Sequence, residues 1–261
     1  MPRLILVNPD NGFEIIVNGR AVRVEDFGPC TTLLEWLRST GLTGSKRGCD
    51  EGDCGACTVV LLERDANGRP TYRAVNSCIA LLPMFAGREI VTVEGLADGS
   101  KLHPVQSAMV ENHGSQCGFC TPGFVVSMFE GYYRRDCRTP AAINDQLCGN
   151  LCRCTGYRPI RDAALEAFDT KQPPDDGFAA RLAGPVRAPD ALDYEVEAGR
   201  FLRPGSLAEL FAVLRDHLKA RFVAGVIEIV PPVQFPASAG PKFGMAGGGA
   251  IQLCGDHENE I

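Results

Sequence analysis

Cysteine placement constrains this chain more than any other feature. Eleven of its twelve cysteines lie between Cys30 and Cys154, and only Cys254 follows. Disulfides belong to oxidising compartments, and chains bound for them carry an export leader. The segment Met1–Arg20 has only a four-residue apolar stretch, Leu4–Val7, with Asp10 and Glu14 behind it, so it is not a secretory signal. Metal ligation is therefore the better explanation of the thiols. The rest of the composition excludes alternatives. A formal charge of -6 argues against a general nucleic-acid binder, whose footprint is basic. Without a run of about 18 apolar residues there is no transmembrane helix to expect. A cytoplasmic protein with no nucleic-acid or membrane partner is the expectation. At 45% hydrophobic residues, wholesale disorder is excluded.

The first cysteine group is Cys49-x4-Cys54-x2-Cys57, joined by Cys78 after twenty intervening residues. This is the plant-type spacing for a [2Fe–2S] cluster. Three thiolates must converge on a small inorganic core while backbone N–H groups point at its sulfides. Gly48, Gly52 and Gly55 let the loop wrap that tightly. Structural zinc is the competing reading, but zinc sites usually pair two short knuckles, and here one half is a lone cysteine. The second group is Cys117-x2-Cys120 and, after thirty-one intervening residues, Cys152-x-Cys154. Each half adjoins an expected helix start, at Thr121-Pro122 and at Tyr157-Arg158-Pro159, and a helix N-terminus favours an anionic group. By spacing alone this group suits zinc as well as a cluster.

Around the cysteines the pattern predicts an α+β chain. Phe13–Val17 and Arg20–Val24 read as strands joined by Asn18-Gly19, the strongest short hairpin signal. Thr31-Thr32 caps a helix that buries Leu33, Leu34, Trp36 and Leu37. Strands follow at Thr58–Leu62 and Tyr72–Val75. Residues 10–95 thus form one small mixed domain. Helices are expected at Pro104–Asn112, Thr121–Tyr133, Pro140–Gln146 and Pro159–Phe168, making an all-helical unit over 100–168. The proline-rich stretch Lys171–Pro189 reads as an extended linker, assigned to 169–198. Beyond it, 199–261 offers one amphipathic helix, Ser206–Lys219, a strand at Phe222–Ala224, and a Pro/Gly-rich tail expected to be unstructured. Some sixty residues with one helix do not make an independent core.

Three stretches carry a resemblance. Gly48-Cys-Asp-Glu-Gly-Asp-Cys-Gly-Ala-Cys57, Gln116-Cys-Gly-Phe-Cys-Thr-Pro-Gly123 and Gly149-Asn-Leu-Cys-Arg-Cys-Thr-Gly-Tyr-Arg-Pro159 resemble the molybdenum hydroxylase (xanthine oxidase) family. The similarity runs from about Phe13 to Ala167. Leu33–Gly44, Ala74–Cys78 and Leu102–Gln106 are similar to the small iron–sulfur/FAD subunit of its bacterial xanthine dehydrogenase branch. The resemblance implies a plant-ferredoxin-like β-grasp domain, then an all-α four-helix [2Fe–2S] domain, a linker and an incomplete FAD-domain fragment. It implies two [2Fe–2S] clusters, one on Cys49, Cys54, Cys57 and Cys78, the other on Cys117, Cys120, Cys152 and Cys154. It makes Gln116 the contact to the pterin of a molybdenum cofactor, which a large partner subunit would hold in a hetero-oligomer. The implied role is electron relay from molybdenum through both clusters toward FAD and NAD during hypoxanthine or xanthine oxidation. A related aldehyde or carbon monoxide dehydrogenase-type hydroxylase, or a truncated non-functional product, are the alternatives. No catalytic acid, base or nucleophile is expected here, because the cofactors carry the chemistry.

The pattern departs from the family near Gly225. Phe201–Leu210 and Arg221–Gly225 resemble the opening of an FAD domain. The family then has an Ala-Gly-Gly-Thr-Asp turn whose amides bind the FAD pyrophosphate, and here Gly225 is followed by Val226-Ile227-Glu228. A truncation or frame disruption is the expectation, with no stable FAD binding by this chain alone. Cys148 is expected as a small buried side chain. Cys30 and Cys137 are expected to be incidental, Cys254 a free thiol, and His103 a cap or packing residue.

Overall fold

A computed structural model describes residues 12–169, 175–218, 220–224, 228–230 and 250–254. Strands β1 (Gly12–Val17) and β2 (Arg20–Glu25) pair antiparallel. Their link, Asn18-Gly19, takes positive φ at both residues, 52° and 78°, as a primed hairpin turn requires. Helix α1 (Leu33–Ser39) starts in a capping box: Thr32 accepts from the Glu35 N–H, and the Glu35 carboxylate accepts from the Thr32 N–H. Strands β3 (Thr58–Arg64), β4 (Pro70–Asn76) and the short β5 (Glu89–Val91) complete a sheet of order β2-β1-β5-β3-β4. In it β1 and β5 run parallel.

Strand β3 explains how the two cysteine-bearing units meet. Its first five residues are all buried, as in a strand covered on both faces. Val59 and Leu61 join the core under α1, with Ile15, Leu33 and Trp36. Val60 and Leu62 point the other way, into a core with Phe124, Met128 and Phe129. That second core belongs to four helices, α2 (Pro104–Glu111), α3 (Thr121–Tyr133), α4 (Pro140–Leu147) and α5 (Arg158–Phe168). Period-2 alternation thus fastens the helical unit to the back of the sheet.

The remainder differs from expectation. Within the stretch read as an extended linker, helix α6 (Gly177–Ala183) forms and docks. Asp176 caps it, accepting from the N–H groups of Phe178 and Ala179, and also accepts from the Tyr133 hydroxyl at 2.6 Å. Phe178 packs edge-on to Phe129, with ring centroids 4.8 Å apart. The prolines concealed this, because the docking partners of α6 lie on other elements. A second sheet begins at residue 192, before the expected boundary. It comprises β6 (Leu192–Val196), β7 (Gly199–Arg203), β8 (Arg221–Ala224), β9 (Glu228–Val230) and β10 (Ala250–Cys254), in the order β6-β7-β10-β8-β9. Strand β10 lies in the tail expected to be unstructured. Helix α7 (Leu207–Asp216) is the expected amphipathic helix. This sheet borrows a core: Tyr194, Phe201 and Val223 bury themselves with Phe13 and Ile15 of the first sheet. Val226 and Ile227 lie outside the described residues.

Candidate metal centres

The first centre is the loop between α1 and β3. Its curvature needs positive φ at Asp50, Gly52 and Gly55. Position 48 has no room for a side chain, since a Cβ there would lie 2.6 Å from the Cys54 sulfur. The Cys49 sulfur accepts three N–H groups, from Glu51 at 3.4 Å, Asp53 at 3.3 Å and Cys54 at 3.4 Å. Burial opposes ionisation of Cys49, but these donors together hold its thiol below the ordinary range. Cys78 arrives just beyond β4. The Ser77 hydroxyl donates to the Cys57 carbonyl at 2.6 Å, and the Leu34 N–H of α1 donates to the Ser77 carbonyl. Cys57 and Cys78 face one another among Leu34 and Ile79. The Cys78 thiol donates to the Cys57 sulfur and brings it down to about 6 against burial, while the same contact pushes Cys78 up.

The second centre joins two helix starts. Cys120 is the N-cap of α3, and Cys117 precedes it through Gly118 at φ 82°. Cys152 and Cys154 lie in the loop from α4 to α5, whose last residue, Tyr157, is left-handed at φ 67°. The Cys152 sulfur meets the Thr155 hydroxyl at 3.2 Å and accepts the Thr155 N–H at 3.5 Å. Burial raises Cys152, but the Thr155 hydroxyl and N–H, with the Cys154 N–H and the Cys120 thiol, together hold its thiol below the ordinary range. Cys120 is pushed up to about 12, first by burial and then by Cys152. The Phe119 N–H, with the Cys154 thiol behind it, lowers Cys117, and Cys154 rises in return.

The eight sulfurs come together as four pairs: Cys49 with Cys54, Cys57 with Cys78, Cys117 with Cys154, and Cys120 with Cys152. Among the described residues no three His, Cys, Asp or Glu side chains converge on one ion position. Tetrahedral zinc needs four sulfurs at about 2.3 Å from a single centre. Within each set the two pairs lie near enough to affect one another's ionisation, and two neighbouring pairs match a core with two metal ions, each taking one pair. The donor sets therefore fit a binuclear iron–sulfur group better than zinc.

Other residues fall into place around these centres. Gln116 is exposed beside Cys117, itself exposed. Cys148 is exposed rather than buried, because it caps the C-terminus of α4 at the surface. Cys137 is buried and Cys30 exposed. His103 caps α2, as expected for a structural histidine: its Nδ1 accepts the Val105 N–H at 3.3 Å. Asn150 and Leu151 carry the contact between the two loops, with Gly123 of α3 against Gly55. Sequence reasoning gave them no role, since only the three-dimensional meeting of the loops reveals one.

Known proteins agree with this division. A 2Fe-2S iron-sulfur cluster binding domain matches residues 15–82, and a [2Fe-2S] binding domain matches residues 92–165. Each span encloses one set of four cysteines. Xanthine dehydrogenase of Emericella nidulans is 45% identical over 157 residues, covering 59% of this chain and 11% of that one. The quinoline 2-oxidoreductase structure from Pseudomonas putida 86 contains a chain of which 92% is covered, at 36% identity and a TM-score of 0.51. The chain belongs to the molybdenum hydroxylase (xanthine oxidase) family. Another member of known structure, aldehyde oxidoreductase from Desulfovibrio gigas, is similar at 36% identity over 60% of this chain and 17% of that one, with a TM-score of 0.54. The chain thus spans about a tenth of the curated molybdenum hydroxylase it matches. What it shares with the family is the pair of [2Fe–2S] domains. No helix among the described residues is long and apolar enough to cross a membrane.

Proposed function

We propose that this chain is the iron–sulfur electron-transfer component of a molybdenum hydroxylase, an oxidoreductase. Cys49, Cys54, Cys57 and Cys78 hold one [2Fe–2S] cluster, and Cys117, Cys120, Cys152 and Cys154 hold the other. The observation that carries this reading is the approach of the eight sulfurs as four pairs, four sulfurs within each matched domain. When bound, each cluster takes up and gives back one electron at a time. The chain's residues hold and tune it. The N–H groups of Glu51, Asp53 and Cys54 spread negative charge off the Cys49 sulfur, and Thr155 does the same for Cys152, which favours the reduced state.

The second centre is the entry side in this reading. Cys117 and Cys154 are exposed there, beside Gln116, and so are the apolar side chains of Phe119, Leu151 and Tyr157. Large apolar groups around an exposed metal site mark a surface for a partner. The partner is a molybdopterin-binding domain or subunit, with Gln116 reaching its pterin, and the electrons leave the first centre toward FAD and NAD. Xanthine or hypoxanthine is the substrate of the assembled enzyme. An aldehyde is the second reading, favoured by the likeness to the aldehyde oxidoreductase fold.

The test is iron and acid-labile sulfide per chain in anaerobically purified protein. Two clusters require about four of each, and two distinct paramagnetic signals on reduction. Zinc without sulfide would sink the proposal. Reduction of the clusters by xanthine but not by aldehydes, with the molybdenum subunit added, would separate the two substrate readings.

A further inference from the structure

We infer that Asn150 is a positioning residue for electron exchange between the two centres, acting through a hydrogen-bonded bridge from Cys54 to Cys152. The inference rests on the two-cluster reading. The Leu151 N–H donates to the Cys54 carbonyl at 3.0 Å. One run of bonds therefore leads from the Cys54 sulfur to its carbonyl, across that hydrogen bond, and along Leu151 to the Cys152 sulfur. Electronic coupling through bonds and a short hydrogen bond decays more slowly than through a gap, so the length of this one link governs the exchange.

Three consecutive residues pin the link. The Asn150 side-chain amide donates to the Gly55 carbonyl at 3.1 Å, the Leu151 N–H to Cys54, and the Cys152 N–H to the Tyr157 hydroxyl oxygen at 3.1 Å. Asn150 is 4% exposed. Its own N–H donates to the Leu147 carbonyl at 3.0 Å, fixing it to the end of α4. The contact leaves no space to spare: a Cβ on Gly123, in the first turn of α3, would lie 2.1 Å from the Gly55 oxygen, and one on Gly55 would lie 2.4 Å from the Gly149 oxygen. The Gly55 carbonyl does not need Asn150 for its own satisfaction, because the Thr58 hydroxyl and N–H already donate to it. The Asn150 amide is thus a cross-loop tie, and cutting it leaves no orphaned carbonyl. In the exchange one electron leaves a reduced cluster and enters the oxidised one. No bond forms or breaks, and no proton has to move.

The experiment uses the full chain with both clusters loaded, and the variants Asn150→Ala and Asn150→Asp. Asp sets a carboxylate against the Gly55 carbonyl and pushes the loops apart. One electron per chain is delivered by rapid photoreduction, and its distribution is followed by freeze-quench EPR. We expect iron, sulfide and each cluster's own signal to be unchanged. Equilibration between clusters should slow roughly tenfold, the scale of outer-shell losses at metal sites. The magnetic interaction of the two reduced clusters should weaken. Equal rates in wild type and both variants would overturn the inference. Should the variants lose iron, amide exchange in the loaded wild type decides, with a protected Leu151 N–H supporting the bridge and a freely exchanging one refuting it. A wild-type chain without iron and sulfide would instead remove the two-cluster reading beneath it.

Discussion

A methyl group at position 48 would sit 2.6 Å from the Cys54 sulfur. A free thiol could swing away at little cost, but a thiolate held as a ligand cannot. Gly48→Ala should therefore act on metal content more than on folding. We expect iron to fall from about four to about two per chain, with the loss confined to the signal of the first centre. Unchanged iron in this variant would mean that Cys54 is not fixed where the structure has it. His103 makes a different residue-scale prediction. It is buried, its Nε2 meets the Tyr133 hydroxyl at 2.9 Å, and Tyr133 donates onward to Asp176. Burial brings its pKa down to about 4, with Asp176 opposing. Below an unfolded value of about 6.5 the unfolded chain binds a proton that the folded chain refuses, so stability falls as pH drops through that window. The loss is about 2 kcal/mol between pH 7 and pH 5. His103→Gln should lack that share of the slope in urea unfolding, and an identical slope in both proteins would contradict the burial argument.

Elements whose signals are local were legible, and elements that depend on distant partners were not. Helices α1 to α5 each carry a cap or an N-terminal proline and an apolar face of their own, so periodicity and capping located them. Asn18-Gly19 located the first hairpin. Strand β5 has three residues, Glu89–Val91, and exists because β1 and β3 flank it. Helix α6 was hidden for the same reason: it is held by Asp176 to Tyr133, by the Tyr72 hydroxyl to the Phe178 carbonyl at 3.0 Å, and by Arg181 to Glu89 at 2.9 Å. The two cysteine groups stand out by their spacing, and each falls within one matched [2Fe–2S] domain, whereas Asn150 became visible only when two loops met. The α6 reading has a direct test. Asp176→Ala removes an N-cap worth about 1 kcal/mol. It also strips the acceptor from the half-buried Tyr133 hydroxyl, for a further 1 kcal/mol or about that. We expect about 2 kcal/mol of destabilisation and new proteolytic cleavage within 175–190 under native conditions. A resistant α6 in that variant would show that Phe178 packing suffices to dock it.

On the scale of the whole molecule, the second sheet depends on the first. Tyr194 of β6 reaches the Phe27 backbone, donating to its carbonyl at 2.5 Å and accepting its N–H at 3.1 Å, while its ring stands edge-on to Phe13 at 5.0 Å. Arg203 of β7 is 5% exposed and donates to the carbonyls of Ala86 at 2.8 Å, Met84 at 3.2 Å, Pro83 at 3.5 Å and Asp190 at 2.9 Å. Three of these acceptors lie in or just after the 3-10 turn Leu82–Phe85, where the Pro83 carbonyl also accepts the Ala86 N–H at 3.2 Å. Burial lowers the Arg203 pKa to about 10, still well above neutrality, so the guanidinium stays charged and its hydrogen bonds stay charge-assisted. Arg203→Met keeps much of the stem's packing but removes the charge-assisted donors to the Met84 and Ala86 carbonyls, at a cost of about 3 kcal/mol. For a chain of this size that corresponds to a fall in Tm of roughly 8 °C. Because both sheets share one core, unfolding should remain a single transition that moves as a whole. The second metal centre draws on the helical core instead, so its EPR signal should be unaltered below the transition. Two separated transitions, with the first sheet melting at the wild-type temperature, would mean that the second sheet is a passenger and that Tyr194 and Phe201 complete no shared core.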